Sequence, residues 1–158
     1  MATNFPAVNT LTNNTNLNLT WYGCSACTGF PVVNTMTQCT TIAQCWWGCV
    51  NCTNSFPDVC QLTNLTTCVS AWANNTGYTG DIARMFSITN AGFPFMTICS
   101  NAFANCRSMS GNGMRFIKVP HAAAFASDTN GPGFNNCAHC FLNCTNLSDY
   151  ATIPGEWK

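Results

Sequence analysis

The chain is poor in charged side chains. Of its 158 residues five are basic and five are acidic, so the formal net charge is zero and the charged fraction is 6%, whereas an ordinary soluble domain has roughly 25%. A domain that binds nucleic acid needs a basic face to neutralise phosphates, and a protein held electrostatically at a membrane surface needs basic clusters. The composition therefore argues against both classes.

The chain also lacks long apolar runs and the residues of hydrolytic catalysis. No run reaches the roughly 18 apolar residues that span a bilayer, so we expect no transmembrane segment. It contains two histidines, Glu156 is its only glutamate, and no Gly-X-Ser-X-Gly motif is present. His121 and His139 are the available bases, but no nucleophile motif accompanies either. We expect a protein that is not an enzyme, with no catalytic residue and no cofactor.

Cysteine, in contrast, is abundant. Reduced cytosolic chains seldom carry so many thiols without a metal, which predicts an oxidising, extracellular or cell-surface location. Cys-X2-Cys recurs at 24/27, 49/52 and 137/140, the last around His139, so zinc is the alternative to disulfides; the spacings follow no common zinc finger, and we predict no metal site. The chain has 13 cysteines. Because this number is odd, at least one cysteine is left without a partner in its own chain, and it is either a buried thiol or part of a bridge between subunits. The disulfide candidates are Cys24, Cys27, Cys39, Cys45, Cys49, Cys52, Cys60, Cys68, Cys99, Cys106, Cys137, Cys140 and Cys144.

Asparagine in Asn-X-Ser/Thr sequons indicates modification. These sequons support a secreted glycoprotein whose N-linked glycans replace missing charge as a solubilising layer. The candidate sites are Asn13, Asn18, Asn51, Asn64, Asn74, Asn143 and Asn146.

Residues 1–20 form a polar arm, and residues 21–158 a disulfide-rich globular domain. Near its end the arm alternates Leu17, Leu19 and Trp21 with polar residues, which is the period of a strand. Such a strand either belongs to the chain's own sheet or pairs with the exposed edge of a neighbouring subunit. We treat Leu17, Leu19 and Trp21 as candidate assembly residues.

The remaining periodicity is helical. Ile42, Cys45, Trp46, Cys49 and Cys52 recur at three- and four-residue steps, and similar spacings follow to residue 144. Met114 and Phe116 alternate with Arg115, which predicts a strand at about 113–119. The fold class predicted is α-rich α+β: a single disulfide-stapled domain of four or five short helices, with a few strands in the arm and at about 113–119. Trp46 and Trp72 are predicted to lie in the core.

Three functions fit these observations. The first is a secreted or surface-displayed structural subunit that self-assembles into a filament, sheath or coat, because low charge, the arm and an odd cysteine all favour association. The second is a monomeric secreted protein that binds a carbohydrate or a small apolar ligand, with tryptophan and tyrosine as a stacking platform. The third is a small secreted hydrolase that uses His121 or His139.

Overall fold

The computed structural model describes residues 3–5, 12–30, 36–54, 56, 62, 64–82, 96–118 and 137–158. Within these ranges the one α-helix is α1, Gly113–Lys118, and Tyr150–Thr152 and Gly155–Trp157 are short 3-10 turns. No helix of the described part is long and apolar enough to cross a membrane.

The described residues form a stack of five coils. Each coil contains an eleven-residue run of consecutive turns: residues 17–27 (coil 1), 42–52 (coil 2), 68–78 (coil 3), 99–109 (coil 4) and 137–147 (coil 5). We number the positions in each run from 1 to 11. The backbone N–H at position 1 donates to the following coil, as from Leu17 to the Thr41 oxygen (2.9 Å) and from Cys68 to the Ile98 oxygen (3.0 Å). The N–H groups at positions 3, 5 and 7 repeat this pattern, so each coil is joined in parallel to the next.

Two positions in each run have positive φ. Position 3 holds Leu19, Gln44, Ser70, Asn101 and His139, and position 7 holds Gly23, Gly48, Asn74, Asn105 and Asn143. Glycine and asparagine tolerate this left-handed conformation better than other residues, which explains their recurrence at position 7. The left-handed residues prevent the turns from continuing as a helix.

The core is a column of stacked rings at position 5. Trp21, Trp46, Trp72, Phe103 and Phe141 lie over one another with centroid separations of 5.5, 5.7, 5.1 and 5.7 Å. Each such pair contributes about 0.5–1.5 kcal/mol beyond its burial. The side chains at positions 1 and 11 of every coil are also buried. The prediction that Trp46 and Trp72 belong to the core is confirmed.

The predicted fold class is wrong, and the coil register explains why. In coils 2 to 5 positions 1, 4, 5, 8 and 11 point inward, and their spacing of three, one, three and three residues is that of one helix face. Ile42, Cys45, Trp46, Cys49 and Cys52 occupy these five positions. The same pattern therefore arises from turns that hydrogen-bond to neighbouring coils, in segments rich in threonine and asparagine, which form helices poorly.

The two predicted strands are also wrong. Residues 17–23 form turns. Next to them, Asn16 makes an isolated bridge to Thr41 and no longer strand. The segment at about 113–119 begins as α1, because the Asp149 carboxylate accepts hydrogen bonds from the backbone N–H groups of Gly113 (2.8 Å) and Met114 (2.9 Å). An acceptor at a helix start satisfies N–H groups that have no partner within the helix.

The carboxyl-terminal tail closes the stack at coil 5. The N–H groups of His139 and Phe141 donate to the oxygens of Glu156 (2.8 Å) and Trp157 (2.7 Å). The side chain of Trp157 is buried, and the Lys158 ammonium donates to the carbonyl oxygens of Tyr150 (3.0 Å) and Ala151 (2.9 Å).

Candidate assembly edge

The opposite end of the stack presents a row of carbonyl groups. In coils 2 to 4 the oxygens one residue before positions 1, 3, 5 and 7 accept hydrogen bonds from the preceding coil. In coil 1 the equivalent oxygens belong to Asn16, Asn18, Thr20 and Tyr22. No backbone N–H of the described residues donates to them. We call these four carbonyls the acceptor row.

The large exposed apolar side chains of the described residues lie beside the acceptor row. Leu19 is 54% exposed and Tyr22 is 45% exposed, and both belong to coil 1. The alternating pattern predicted that Leu17, Leu19 and Trp21 share one face, but Leu17 and Trp21 are buried. In this run of turns Leu17 and Trp21, four residues apart, point inward while Leu19 points out. Leu19 is therefore the one assembly candidate that a partner could contact.

The residues before coil 1 contact part of this end. Phe5 packs edge-on against Trp21, with 5.9 Å between ring centroids, and the Thr28 N–H donates to the Thr3 oxygen at 3.3 Å. On the outer surface Tyr22 stacks on Trp47 with centroids 4.6 Å apart and rings within 2° of parallel. An exposed ring with this support resembles the aromatic platforms on which flat apolar groups stack.

One pair of cysteines forms a disulfide. Cys99 and Cys137 hold position 1 of coils 4 and 5, with Cα atoms 4.8 Å apart. That separation is within the range a disulfide requires and matches the spacing of adjacent strands, roughly 4.7–4.9 Å. The expectation of a cysteine-rich chain that contains a disulfide is confirmed. Cys60 lies outside the described residues. The other described cysteines are thiols: Cys24, Cys27, Cys39, Cys45, Cys49, Cys52, Cys68, Cys106, Cys140 and Cys144.

The thiols at position 8 have a structural role. In coils 2, 4 and 5 the thiol donates to the carbonyl oxygen of the ring residue in the preceding coil: Cys49 to Trp21 (3.3 Å), Cys106 to Trp72 (3.1 Å) and Cys144 to Phe103 (2.9 Å). In coil 3 the side-chain amide of Asn75 makes the same contact to Trp46 (3.1 Å). Position 8 of coils 2 to 5 is therefore occupied by a buried hydrogen-bond donor, which is the thiol of a reduced cysteine or the side-chain amide of an asparagine.

Burial keeps these thiols protonated. It raises the pKa of Cys144 to about 12 and the pKa values of Cys106 and Cys140 well above the usual range, because a thiolate loses its hydration there. A protonated thiol donates its hydrogen and is a poor nucleophile and metal ligand. These cysteines therefore act as apolar, hydrogen-bonding core residues.

Two of the three Cys-X2-Cys pairs lie on adjacent coils. Cys24 and Cys27 hold positions 8 and 11 of coil 1, and Cys49 and Cys52 the same positions of coil 2. Within the described ranges no group of three or more histidine, cysteine or carboxylate side chains has a metal-binding arrangement. The Cys52 thiol instead lies 3.3 Å from the Cys27 oxygen.

Most sequon asparagines take part in hydrogen bonds between coils. The Asn18 side-chain oxygen accepts from the Thr41 hydroxyl (2.6 Å), and that of Asn74 accepts from Asn105 (2.8 Å). The amides of four others donate: Asn51 to the Ser25 oxygen, Asn64 to the Thr37 oxygen, Asn143 to the Asn105 side chain and Asn146 to the Ser108 oxygen. Asn13 is exposed. Joining coils thus accounts for much of the asparagine content without glycans.

Threonine has a parallel role on an outer corner of the stack. The hydroxyls of Thr40, Thr66 and Thr97 each donate to the carbonyl oxygen of the preceding coil's threonine, at 3.0, 2.9 and 3.2 Å. The acceptors are Thr15, Thr40 and Thr66.

The histidines do not form a site in the described residues. His139 is exposed at position 3 of coil 5, where its backbone N–H holds the tail. His121 lies outside the described residues.

Comparisons with known proteins gave no match: no protein-family model fits the chain, and searches of curated proteins and of solved structures found no similar sequence or fold.

Proposed function

We propose that the chain is a secreted or surface-displayed structural subunit that self-assembles through the acceptor row of coil 1 into a filament, sheath or coat. One observation carries the proposal: the acceptor row and the large exposed apolar side chains lie on the same coil. No backbone N–H of the described residues donates to the four carbonyls of the row, and Leu19 and Tyr22 are the large apolar side chains that the described part exposes. Rows of unpaired backbone groups next to apolar side chains pair readily with another chain.

Three further properties support the proposal. In a stacked-coil fold each coil contacts only its neighbours, so the end coils are natural sites of growth. The chain has five basic and five acidic residues, so it has little of the charge repulsion that keeps copies apart. Threonine and asparagine side chains also join neighbouring coils by neutral hydrogen bonds, which salt screens far less than ion pairs, and this suits an extracellular material.

The test is a double substitution that places charge beside the acceptor row. Leu19→Lys with Tyr22→Lys leaves the buried side chains of coil 1 unchanged, removes the surface stack of Tyr22 on Trp47 and adds two charges at the edge, a device that blocks edge pairing in natural sheets. We expect sedimentation velocity to show large assemblies for the unmodified chain and monomers for the double variant. Thr79→Lys, an exposed change directly after coil 3, is the matched control and should assemble normally. Equal assembly of the double variant would refute the proposal.

Glycosylation is part of the proposal. We assign it first to Asn13, which is exposed and precedes coil 1, because a glycan there disturbs no contact between the coils. Loss of a glycan mass from the secreted protein on Asn13→Gln tests this assignment.

A carbohydrate-binding protein is the second candidate. The stacked Tyr22–Trp47 pair favours it, since an exposed, supported ring can stack against the apolar face of a sugar. Under this alternative Tyr22→Ala lowers the affinity for a sugar while the chain stays monomeric at all concentrations. Absence of catalytic activity stays a prediction.

A further inference from the structure

The two ends of the stack are complementary in hydrogen bonding. Coil 1 ends in carbonyl oxygens, whereas coil 5 ends in N–H groups that point away from coil 4. Two coil 1 edges cannot pair with each other, because both offer acceptors only. The acceptor row of coil 1 instead matches the N–H groups of coil 5, because both use alternate residues. Adjacent coils within this chain pair in the same way.

The tail occupies the donor row of coil 5. Leu19 and Trp21, at positions 3 and 5 of coil 1, donate to the Ala43 and Cys45 oxygens of coil 2. At the same positions of coil 5, His139 and Phe141 donate to the oxygens of Glu156 and Trp157. The tail therefore takes the place that the carbonyls of a sixth coil would take.

The tail is a small element compared with a coil. It covers two positions of the donor row, whereas each junction between neighbouring coils 1 to 3 uses four. Its principal anchor is the buried side chain of Trp157, supported by the two hydrogen bonds of the Lys158 ammonium. A complete coil offers hydrogen bonds at more positions of the donor row than the tail does.

We infer that residues 154–158 form a cap that competes with coil 1 of a second copy for the donor row of coil 5. When the cap is displaced, the acceptor row of the next copy pairs with coil 5 head to tail. The exposed Leu19 and Tyr22 of that copy then lie at the contact. This inference rests on the proposed function and adds to it the partner surface and the element that limits growth.

The test removes the cap and asks whether assembly becomes easier. We expect a chain that ends at Ile153 to assemble at a concentration about tenfold lower than the full chain, because the cap's buried tryptophan no longer competes. Assembly measured by sedimentation velocity should be abolished when Leu19→Lys and Tyr22→Lys are added to the shortened chain. If those charges leave assembly unchanged, the association is non-specific aggregation of an exposed core, and the inference fails.

A milder variant covers the case in which the shortened chain does not fold. Trp157→Ala in the full chain removes the anchor and keeps the backbone of the cap, and near-ultraviolet circular dichroism reports whether the tryptophan stack persists. We expect a folded protein that assembles at lower concentration. If a folded Trp157→Ala chain assembles at the concentration of the unmodified chain, the cap inference is wrong while the proposed function stands. If neither chain assembles at any concentration, both are wrong.

Discussion

The junction between coils 1 and 2 and that between coils 4 and 5 use cysteine differently. At coils 4 and 5, Cys99 and Cys137 share position 1 and form a covalent bridge. At coils 1 and 2, position 1 holds Leu17 and Ile42, and four cysteines lie at positions 8 and 11 as thiols. Residue type alone therefore does not determine the role of a cysteine here; its position in the coil does.

The two roles of cysteine change what the high cysteine content implies about the protein's compartment. A buried thiol at position 8 is a hydrogen-bond donor that Asn75 can replace, so many of these cysteines contribute to packing and need no oxidant. A high cysteine count in a stacked-coil protein is then weaker support for an oxidising compartment than it would be in a small scaffold held only by bridges.

Raising the pH should lower the free energy of unfolding more than any other change considered, because it acts on every junction between coils that contains buried thiols. Burial raises the pKa of the folded thiols, whereas thiols of the unfolded chain titrate near pH 8.5. Above that pH the unfolded chain binds fewer protons than the folded one, so the free energy of unfolding falls as pH rises. The slope is about 1.4 kcal/mol per pH unit for each fully buried thiol.

The measurement is the urea midpoint between about pH 7 and pH 11. We expect the urea midpoint to be constant near neutral pH and to fall steeply above about pH 9, because several buried thiols contribute to the pH dependence together. A midpoint that stays constant to about pH 11 would show that these groups are already oxidised or exposed.

Reduction should have the next largest effect and should distinguish the two junctions. The Cys99–Cys137 bridge spans 38 residues, and removal of such a bridge costs about 2–4 kcal/mol. We expect reductant, or Cys99→Ala with Cys137→Ala, to accelerate amide hydrogen exchange at Phe103 in coil 4. Exchange at Trp21 in coil 1 should change little. Equal acceleration at both sites with reductant, but not in the double variant, would mean that bridges also join coils 1 and 2.

Substitution of the hydrogen-bond donor at position 8 should lower the free energy of unfolding the least. Cys106→Ala removes one of two buried donors to the Trp72 oxygen, which keeps the Asn75 side-chain amide at 2.7 Å, so it should cost about 0.5–1.5 kcal/mol. Cys106→Asn introduces the residue type that Asn75 supplies at the same position of coil 3, so it keeps a donor and should cost less than Cys106→Ala. Urea unfolding at neutral pH compares the two variants. If Cys106→Asn were the more destabilising of the two, the equivalence of cysteine and asparagine at this position would be refuted.

The core was partly predictable from the sequence. Trp46 was assigned with the cysteine stripe of coil 2 to one face, and Trp46 and Trp72 to the core, because inward positions follow helix-like spacing. The element type could not be deduced from that spacing, since a run of turns with positions 1, 4, 5, 8 and 11 inward has the same pattern. The left-handed residues at positions 3 and 7 were a local signal against a helix, most clearly at Gly23 and Gly48.

The repeat was missed because its length varies. Successive coils are separated by 25, 26, 31 and 38 residues, so no fixed period exists, although the recurrence of Cys-X2-Cys was visible. An alignment of the eleven-residue runs alone would have found it: an apolar residue at position 1, a ring at 5, cysteine or asparagine at 8 and an apolar residue at 11. The acceptor row could not be predicted, because it depends on which backbone groups the neighbouring coil uses.

The most direct test of assembly through coil 1 is electron cryomicroscopy of the native, unreduced protein. We expect regular filaments or sheets in which coil 1 of one copy, with Leu19 and Tyr22, lies within the contact between copies. Discrete single particles at every concentration, with coil 1 facing solvent, would contradict it and direct attention to the Tyr22–Trp47 platform as a ligand site.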